Sequence, residues 1–203
     1  MKVVVVVLAA GASRRFGSPK LLAPLRGRPV LQHVLDAVSA AGFRDVVVVL
    51  GDEAPAIEAT MAWRAERRVV NPRPGDGLAS SLRIGLDAAA EDRETDAVLV
   101  ALGDQPAVRW DVLVAVVEAA QTCGRPIVRA RYREDGAPNP VLLRRSTWAL
   151  AAGLDGDRGL GPLLERHPEL VFEVEAPGSN PDVDTTGDLE RLAASLPGAK
   201  RVH

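Results

Sequence analysis

The sequence is poor in cysteine, in net charge and in long apolar runs. A single cysteine, Cys123, among 203 residues excludes an internal disulfide framework and a metal site of several cysteines, so we expect a reducing, cytoplasmic location. The formal net charge of -2 provides no basic field of the kind that draws proteins to nucleic acid. The apolar run Val3–Ala10 is too short to span a bilayer. The sequence therefore predicts neither a nucleic-acid partner nor a membrane association.

Composition and length both indicate a single globular domain. Hydrophobic residues make up 47% of the chain and charged residues 26%, which is typical of globular proteins. No internal repeat, low-complexity tract or linker divides the sequence. We therefore predict one domain over residues 1–196 and a short, frayed tail over residues 197–203.

Strand and helix patterns alternate along the chain. Continuous β-branched runs without polar alternation predict buried parallel strands at Val3–Leu8, Val46–Leu50 and Val98–Leu102. Apolar positions repeat with helical spacing after Pro29, from Ala54 to Ala65, after Leu78 and from Trp110 to Thr122. Shorter strands are predicted at Ile127–Ala130, Val141–Leu143 and Val171–Val174. This order predicts an α/β fold: a Rossmann-like three-layer α/β/α sandwich with a mostly parallel central sheet and a mixed C-terminal edge.

The segment that follows the first predicted strand has the composition of a phosphate-binding loop. Ligands of parallel sheets bind beyond the carboxyl ends of the strands, where this segment must lie. Glycines allow main-chain N–H groups to approach a polyphosphate, and hydroxyl and cationic side chains add donors. These residues are Gly11, Ser13, Arg15, Gly17 and Lys20. The loop fits neither G-x-x-x-x-G-K-[ST] nor G-x-G-x-x-G. A plain turn with solvated charges is the alternative, and the combined spacing favours phosphate binding.

Two aspartates are candidate metal ligands. Asp104 directly follows the strand Val98–Leu102, so its carboxylate should point into the crevice at the carboxyl edge of the sheet. Mg²⁺ prefers one or two carboxylates together with phosphate and water oxygens. Asp184 is the candidate second carboxylate. The alternatives are a turn for Asp104 and a helix cap for Asp184.

A turn-rich segment precedes the helix that begins near Gly77. Its backbone and the hydroxyls of Ser80 and Ser81 could contact a nucleobase or ribose. Asp76 or Ser80 could instead cap the helix. The residues alone leave both interpretations open.

Six motifs occur in an informative order. Residues Leu8–Lys20 fit the pattern L-A-A-G-x-S-x-R-x-G-x-x-K. The later motifs are Gly77-Leu78-Ala79-Ser80-Ser81-Leu82, Gly103-Asp104-Gln105-Pro106, Asn139-Pro140-Val141-Leu142, Gly156-Asp157-Arg158-Gly159 and Asp182-Val183-Asp184-Thr185. This series covers Val3 to about Leu192 and resembles the MobA-like nucleotidyltransferases. The alanine at Ala10 resembles the molybdenum cofactor cytidylyltransferase branch of that family.

The resemblance implies a role for each matching residue. Catalytic roles fall to Arg15, Lys20 and Asp104, and Mg²⁺ binding to Asp104 and Asp184. Nucleotide binding falls to Leu8, Ala9, Ala10, Gly11, Ser13, Arg15, Gly17, Lys20, Gly77, Ser80 and Ser81. Acceptor binding falls to Asn139, Pro140, Asp157 and Gly159. The chain departs from the family at Asn139, where histidine is usual, and at Thr186-Gly187, which replaces a Pro-Glu pair.

The resemblance also implies a reaction. A nucleotidyltransferase of this branch transfers CMP from CTP to a molybdopterin-type molybdenum cofactor and releases pyrophosphate, with a molybdoenzyme or its maturation chaperone as a further partner. Three alternatives stay open: a GTP-dependent guanylyltransferase for the same cofactor, a sugar- or polyol-phosphate nucleotidyltransferase, and a non-catalytic cofactor carrier.

Overall fold

The computed structural model describes residues 1–11, 13, 16–136 and 138–195. The strands are β1 (Val3–Ala9), β2 (Pro24–Leu25), β3 (Arg28–Pro29), β4 (Val46–Leu50), β5 (Arg67–Val70), β6 (Ala97–Leu102), β7 (Ile127–Tyr132), β8 (Asp135–Gly136), β9 (Val141–Arg144), β10 (Val171–Ala176) and β11 (Ser179–Asn180). The α-helices are α1 (Val30–Ala40), α2 (Ala54–Thr60), α3 (Leu78–Ala90), α4 (Trp110–Thr122), α5 (Trp148–Ala152), α6 (Gly161–Arg166) and α7 (Thr186–Ser195).

Seven strands form the central sheet in the order β10-β7-β9-β6-β1-β4-β5. The first strand lies at its centre, parallel to both β4 and β6. Strand β9 lies between β6 and β7 and is antiparallel to both. The predicted mostly parallel sheet with a mixed C-terminal edge is therefore confirmed.

Helices cover both faces of the sheet because the central strands are apolar on both sides. Successive valines of β1 belong to opposite cores, and Val5 and Val6 are both fully buried. Helices α1, α2, α4 and α7 pack on one face, and α3, α5 and α6 on the other. Full burial of one such side chain contributes about 1.5–3 kcal/mol. The predicted three-layer sandwich is confirmed.

The helix predicted from Ala54 to Ala65 was too long, since α2 ends at Thr60. The chain turns at Met61, whose backbone is extended at φ -77 and ψ 143. Side chains from outside the helix then supply hydrogen-bond acceptors. The Gln32 carbonyl accepts from the N–H of Ala62 at 3.0 Å, and the Glu66 carboxylate from that of Arg64 at 2.5 Å. The turn leads into β5, an edge strand that the sequence analysis did not predict.

The structure does not test the predictions for the tail, the number of domains and the cellular location. The predicted tail, residues 197–203, lies outside the described residues. In the part of the chain that the structure describes, no helix is long and apolar enough to cross a membrane. The single domain and the cytoplasmic location stay predictions.

Candidate active site

The loop after β1 is joined to neighbouring loops at the carboxyl edge of the sheet. The Ser13 hydroxyl accepts a hydrogen bond from the Lys20 N–H at 2.9 Å and donates one to the Glu53 carboxylate at 3.3 Å. A Cβ atom at Gly51 would lie 2.6 Å from the carbonyl oxygen of Ala10, so the loops after β1 and β4 meet closely. Arg15 lies outside the described residues. Ser13 therefore fixes the backbone from which the Lys20 side chain projects.

The ammonium group of Lys20 bridges two carboxylates. Its Nζ lies 2.6 Å from Asp104 Oδ2 and 3.1 Å from Asp184 Oδ1. Lys20 is 8% exposed. Burial alone would lower the pKa of Lys20, but the two aspartates together raise it above its ordinary value. The lysine is therefore held in its charged form.

Backbone hydrogen bonds bring the two aspartates together. The N–H of Val183 donates to the carbonyl oxygen of Asp104 at 2.9 Å, although the residues are far apart in sequence. The N–H of Gly103 donates to the carbonyl of Leu8 at 2.8 Å, which ties the end of β6 to β1. Asp104 therefore lies at the strand end where the sequence predicted it, and Asp184 lies beside it.

A separate pair of residues caps α7. The Asp188 carboxylate accepts from the N–H and the hydroxyl of Thr185, each at 2.7 Å, and the Thr185 hydroxyl accepts from the Asp188 N–H at 3.2 Å. This reciprocal arrangement is a capping box. The Asp188 carboxylate also accepts from the Asp184 N–H at 3.2 Å, so the cap fixes the backbone of Asp184. The cap that was the alternative role for Asp184 is formed by Asp188 and Thr185.

A buried amide network supports this arrangement. Gln105, 1% exposed, donates to the Asp182 carboxylate at 2.9 Å and accepts from the Asn180 amide at 3.1 Å. Partial desolvation of its carboxylate raises the pKa of Asp182, although the residue as a whole is exposed, and repulsion from Asp104 adds to the shift. No pattern in the sequence predicted a role for Gln105 or Asn180. The available signal for Gln105 was a polar residue within three positions of the end of a buried strand, β6.

A cavity of about 400 Å³ opens beside the lysine and the aspartates. The loop after β1, the start of α3 and the loop before α6 surround it. Gly77 has φ +93, and a Cβ there would lie 2.5 Å from Gly156 backbone atoms, so this wall requires glycine. The lining residues are Ala10, Gly11, Ser13, Lys20, Pro74, Gly75, Gly77, Leu78, Ser81, Asp157 and Asp184.

The two serines of α3 contact the same asparagine. The Asn71 amide donates to the hydroxyl of Ser80 at 2.8 Å and to that of Ser81 at 3.0 Å. The Ser80 hydroxyl also donates to the Gly77 carbonyl at 2.7 Å. Only Ser81 of this pair lines the cavity, so Asn71 and Ser80 support the wall from behind.

A second, more apolar cavity of about 180 Å³ adjoins the first and shares Leu78 with it. Two residues predicted to bind the acceptor, Asn139 and Gly159, line this cavity, whereas Asp157 lines the first. The remaining lining residues are Leu8, Leu82, Val100, Leu102, Pro138, Val141, Arg158, Leu160, Gly161 and Leu164.

Five of the predicted site residues that the structure describes line neither cavity. Ala9 belongs to the core on the other face of the sheet, and Gly17 is an exposed turn residue with φ +76. Pro140 is buried, and its carbonyl accepts from the Ala130 N–H at 3.1 Å. Ser80 is the fourth. Asp104 is the fifth, and its carboxylate lies 2.6 Å from the ammonium of Lys20, which lines the first cavity.

The two aspartates fit a hard divalent cation. The side chains of Asp104 and Asp184 are 23% and 38% exposed, and Asp184 lines the first cavity. Carboxylate oxygens are the ligands that Mg²⁺ and Mn²⁺ prefer. Among the described residues, no group of three His, Cys, Asp or Glu side chains forms a complete metal cage. A cation held by two carboxylates needs phosphate and water oxygens as its other ligands.

Comparisons with known proteins agree with this geometry. The model of the MobA-like NTP transferase domain matches residues 5–171. Nicotine blue oxidoreductase from Paenarthrobacter nicotinovorans is 35% identical over 200 residues, covering 92% of this chain and 94% of that protein. Phosphoenolpyruvate guanylyltransferase from Sphaerobacter thermophilus is 32% identical over 171 residues, covering 83% and 79%. The chain also matches bifunctional GlmU proteins, of which it spans 34% in the Desulfitobacterium hafniense examples.

One similar crystal structure contains a metal. Rv0371c from Mycobacterium tuberculosis H37Rv in complex with manganese is 32% identical, with a TM-score of 0.82. The match covers 97% of this chain and 100% of that one. The likeness therefore extends over the whole sheet and both loops that carry the aspartates.

Proposed function

The chain belongs to the MobA-like NTP transferase family and is a nucleotidyltransferase, and from this premise we propose that it transfers CMP from CTP to a molybdopterin-type molybdenum cofactor. The observation that carries the proposal is the position of Lys20, Asp104 and Asp184 beside a cavity of about 400 Å³. A cationic side chain and two carboxylates beside a glycine-containing loop are the groups that a metal-bound triphosphate requires.

The triphosphate lies along the loop after β1. Main-chain N–H groups near Gly11 and the ammonium of Lys20 contact its oxygens, and Arg15 has the same role on the strength of the sequence alone. The sugar and base extend towards Gly77 and Ser81 on the opposite wall. The preference for cytosine rests on the resemblance carried by Ala10, so GTP is the alternative donor.

The reaction is an in-line displacement at the α-phosphorus. An oxygen of the acceptor phosphate forms the new P–O bond, and the bond to the bridging oxygen breaks as pyrophosphate leaves. The acceptor phosphate is already ionised, so no general base is needed. Lys20 stabilises the charge on the departing pyrophosphate. Asp104 and Asp184 would hold Mg²⁺, which neutralises charge on phosphate oxygens when bound.

The second cavity supports an acceptor with a ring. Its lining is mostly aliphatic, with Asn139 and Arg158 as polar members, and a cavity of about 150 Å³ can accept benzene. A volume of about 180 Å³ next to the nucleotide cavity therefore suits one ring of a pterin. The hydroxyl groups of a sugar- or polyol-phosphate would find few hydrogen-bond partners on this mostly aliphatic lining, so such an acceptor is the weaker alternative.

Pyrophosphate release tests the proposal. Purified protein is incubated with molybdenum cofactor, Mg²⁺ or Mn²⁺, and CTP, GTP or ATP in turn. We expect release with CTP that requires both the cofactor and the metal. Pyrophosphate release with GTP but not with CTP, in the presence of the cofactor and the metal, would identify the guanylyltransferase. Cofactor binding without turnover on any nucleotide would identify a carrier.

One relative favours a second candidate function. The similarity to a protein named nicotine blue oxidoreductase suggests redox turnover of a ring-bearing substrate. The loop after β1 lacks the G-x-G-x-x-G pattern of dinucleotide sites, which favours nucleotidyl transfer. Consumption of NADH or NADPH with a ring-bearing electron acceptor, without pyrophosphate release, would support the redox function.

A further inference from the structure

Lys20 takes up the space between the two proposed metal ligands. Its Nζ lies within hydrogen-bond distance of both Asp104 and Asp184, at 2.6 and 3.1 Å. The backbone below this side chain is fixed, because Ser13 accepts from the Lys20 N–H and the next residue, Leu21, is 2% exposed. The flexible side chain is the part that can move.

A divalent cation shared by these carboxylates competes with the ammonium group. Mg²⁺ approaches its oxygen ligands to about 2.0–2.1 Å, closer than any hydrogen bond. A cation bound to both oxygens and the Lys20 ammonium would therefore occupy the same small volume. Their charges also have the same sign, and the site is partly buried, so repulsion between them is poorly screened.

We propose that Lys20 occupies the metal position while no nucleotide is bound, and that the triphosphate draws it away, so that metal and triphosphate bind with positive coupling. This inference rests on the metal site of the proposed function. In the nucleotide-free protein, the positive charge of the ammonium group offsets the repulsion between the two neighbouring carboxylates. Lys20 and Asp184 both line the first cavity, so the phosphates arrive next to the ammonium and offer it new anionic partners.

The coupling must act in both directions. If the triphosphate tightens metal binding, the metal tightens triphosphate binding by the same factor. Couplings of this kind usually lie in the range of about 5- to 150-fold. A lysine that served only to bind phosphate would give a different result, because its removal would leave metal binding without nucleotide unchanged.

Binding of Mn²⁺ alone tests the inference without any measurement of activity. Free Mn²⁺ is measured by electron paramagnetic resonance during titration of the wild type and of Lys20→Met and Lys20→Gln. We expect both variants to bind Mn²⁺ at least about tenfold more tightly than the wild type when nucleotide is absent. A non-hydrolysable CTP analogue should tighten Mn²⁺ binding strongly in the wild type and much less in the variants.

Lys2→Met is the matched control. Lys2 pairs with Asp92 at 2.5 Å, precedes the opposite end of β1 and is remote from the cavity, so this variant should bind Mn²⁺ as the wild type does. Circular dichroism establishes that each variant is folded, and the two uncharged replacements guard against the failure of one. Equal or weaker Mn²⁺ binding by both Lys20 variants would overturn the inference alone. Absence of Mn²⁺ binding in every protein, with or without the nucleotide analogue, would overturn the proposed metal site as well.

Discussion

At the scale of single residues, Asp104 is the group on which the proposed chemistry depends most. Asp104→Asn keeps the shape of the side chain but removes one of its two charged oxygens, so we expect turnover to fall by about 10³-fold or more. The fold should persist, because the backbone carbonyl still accepts from Val183. Pyrophosphate release and circular dichroism measure the two effects.

Asp92→Asn is the control for this substitution. Asp92 is exposed and pairs with Lys2, away from the cavity. Its replacement should leave turnover unchanged. Near-normal activity of Asp104→Asn would show that Asp104 has no part in the reaction.

Gly77 offers a test of the cavity wall. Its φ is +93, and an added Cβ would lie 2.5 Å from the carbonyl carbon and oxygen of Gly156. We therefore expect Gly77→Ala to lower the free energy of unfolding by about 1–3 kcal/mol. Gly75→Ala is the matched control, since a Cβ at Gly75 meets nothing within 4 Å. The free energies of unfolding of the two variants, measured in urea, should differ clearly. Equal values would contradict the prediction that the backbone at position 77 requires glycine.

The sequence predicted three charged residues that the structure brings into contact, but not the amides that support them. Lys20, Asp104 and Asp184 stand in motifs whose position relative to strands predicts a role. Gln105 and Asn180 meet only in the folded chain, because their hydrogen bond joins positions 75 residues apart. No local pattern specifies such a pair.

At the scale of secondary-structure elements, the cap of α7 makes the stability of the folded protein depend on pH. The hydrogen bond from the Thr185 hydroxyl is the largest cause that lowers the pKa of Asp188 in the folded protein. A lowered carboxyl pKa stabilises the fold above the unfolded value of about 3.9, and this contribution is lost as the pH falls through the folded pKa. The stability difference between wild type and Asp188→Asn should therefore be largest near neutral pH and vanish well below pH 4.

Thermal unfolding across this pH range measures the effect of the cap. Glu190→Gln, an exposed carboxylate replaced on the same helix, is the control and should show no such dependence. A constant difference between wild type and Asp188→Asn at all pH values would mean that the charge of Asp188 does not stabilise the cap.

Elements were predictable where a pattern was long and uniform. The valine runs of β1 and β4 predicted buried parallel strands because a strand buried on both faces needs apolar residues at every position. The end of α2 was not predictable, because Gln32 and Glu66 provide the competing hydrogen bonds from outside the helix. Strand β5 was missed because its four residues, two of them arginine, carry no apolar alternation.

At the scale of the whole molecule, both halves of the chain contribute strands to the central sheet. The N-terminal half contains β1 to β6 and ends after Asp104, and the C-terminal half contains β7 to β11. Strand β9 comes late in the sequence but lies between β6 and β7, where Val98 pairs with Leu143 and Ile127 with the same leucine. The aspartates of the site also come from both halves, and Val183 donates to the Asp104 carbonyl. Neither half can therefore complete the sheet or the site alone.

This arrangement predicts a single cooperative unfolding transition over residues 1–196. Trp63, which packs against one core, and Trp148, 8% exposed in the other, are natural fluorescent probes for the two halves. Two variants each keep one of these probes. Trp110, which is 55% exposed, is replaced by phenylalanine in both variants; Trp148 is also replaced in the first, and Trp63 in the second. Urea midpoints from each fluorescence signal should coincide with the midpoint from circular dichroism, as two-state unfolding requires. A fluorescence midpoint that differs from the circular dichroism midpoint of the same single-tryptophan protein would instead mean that the halves unfold as independent units.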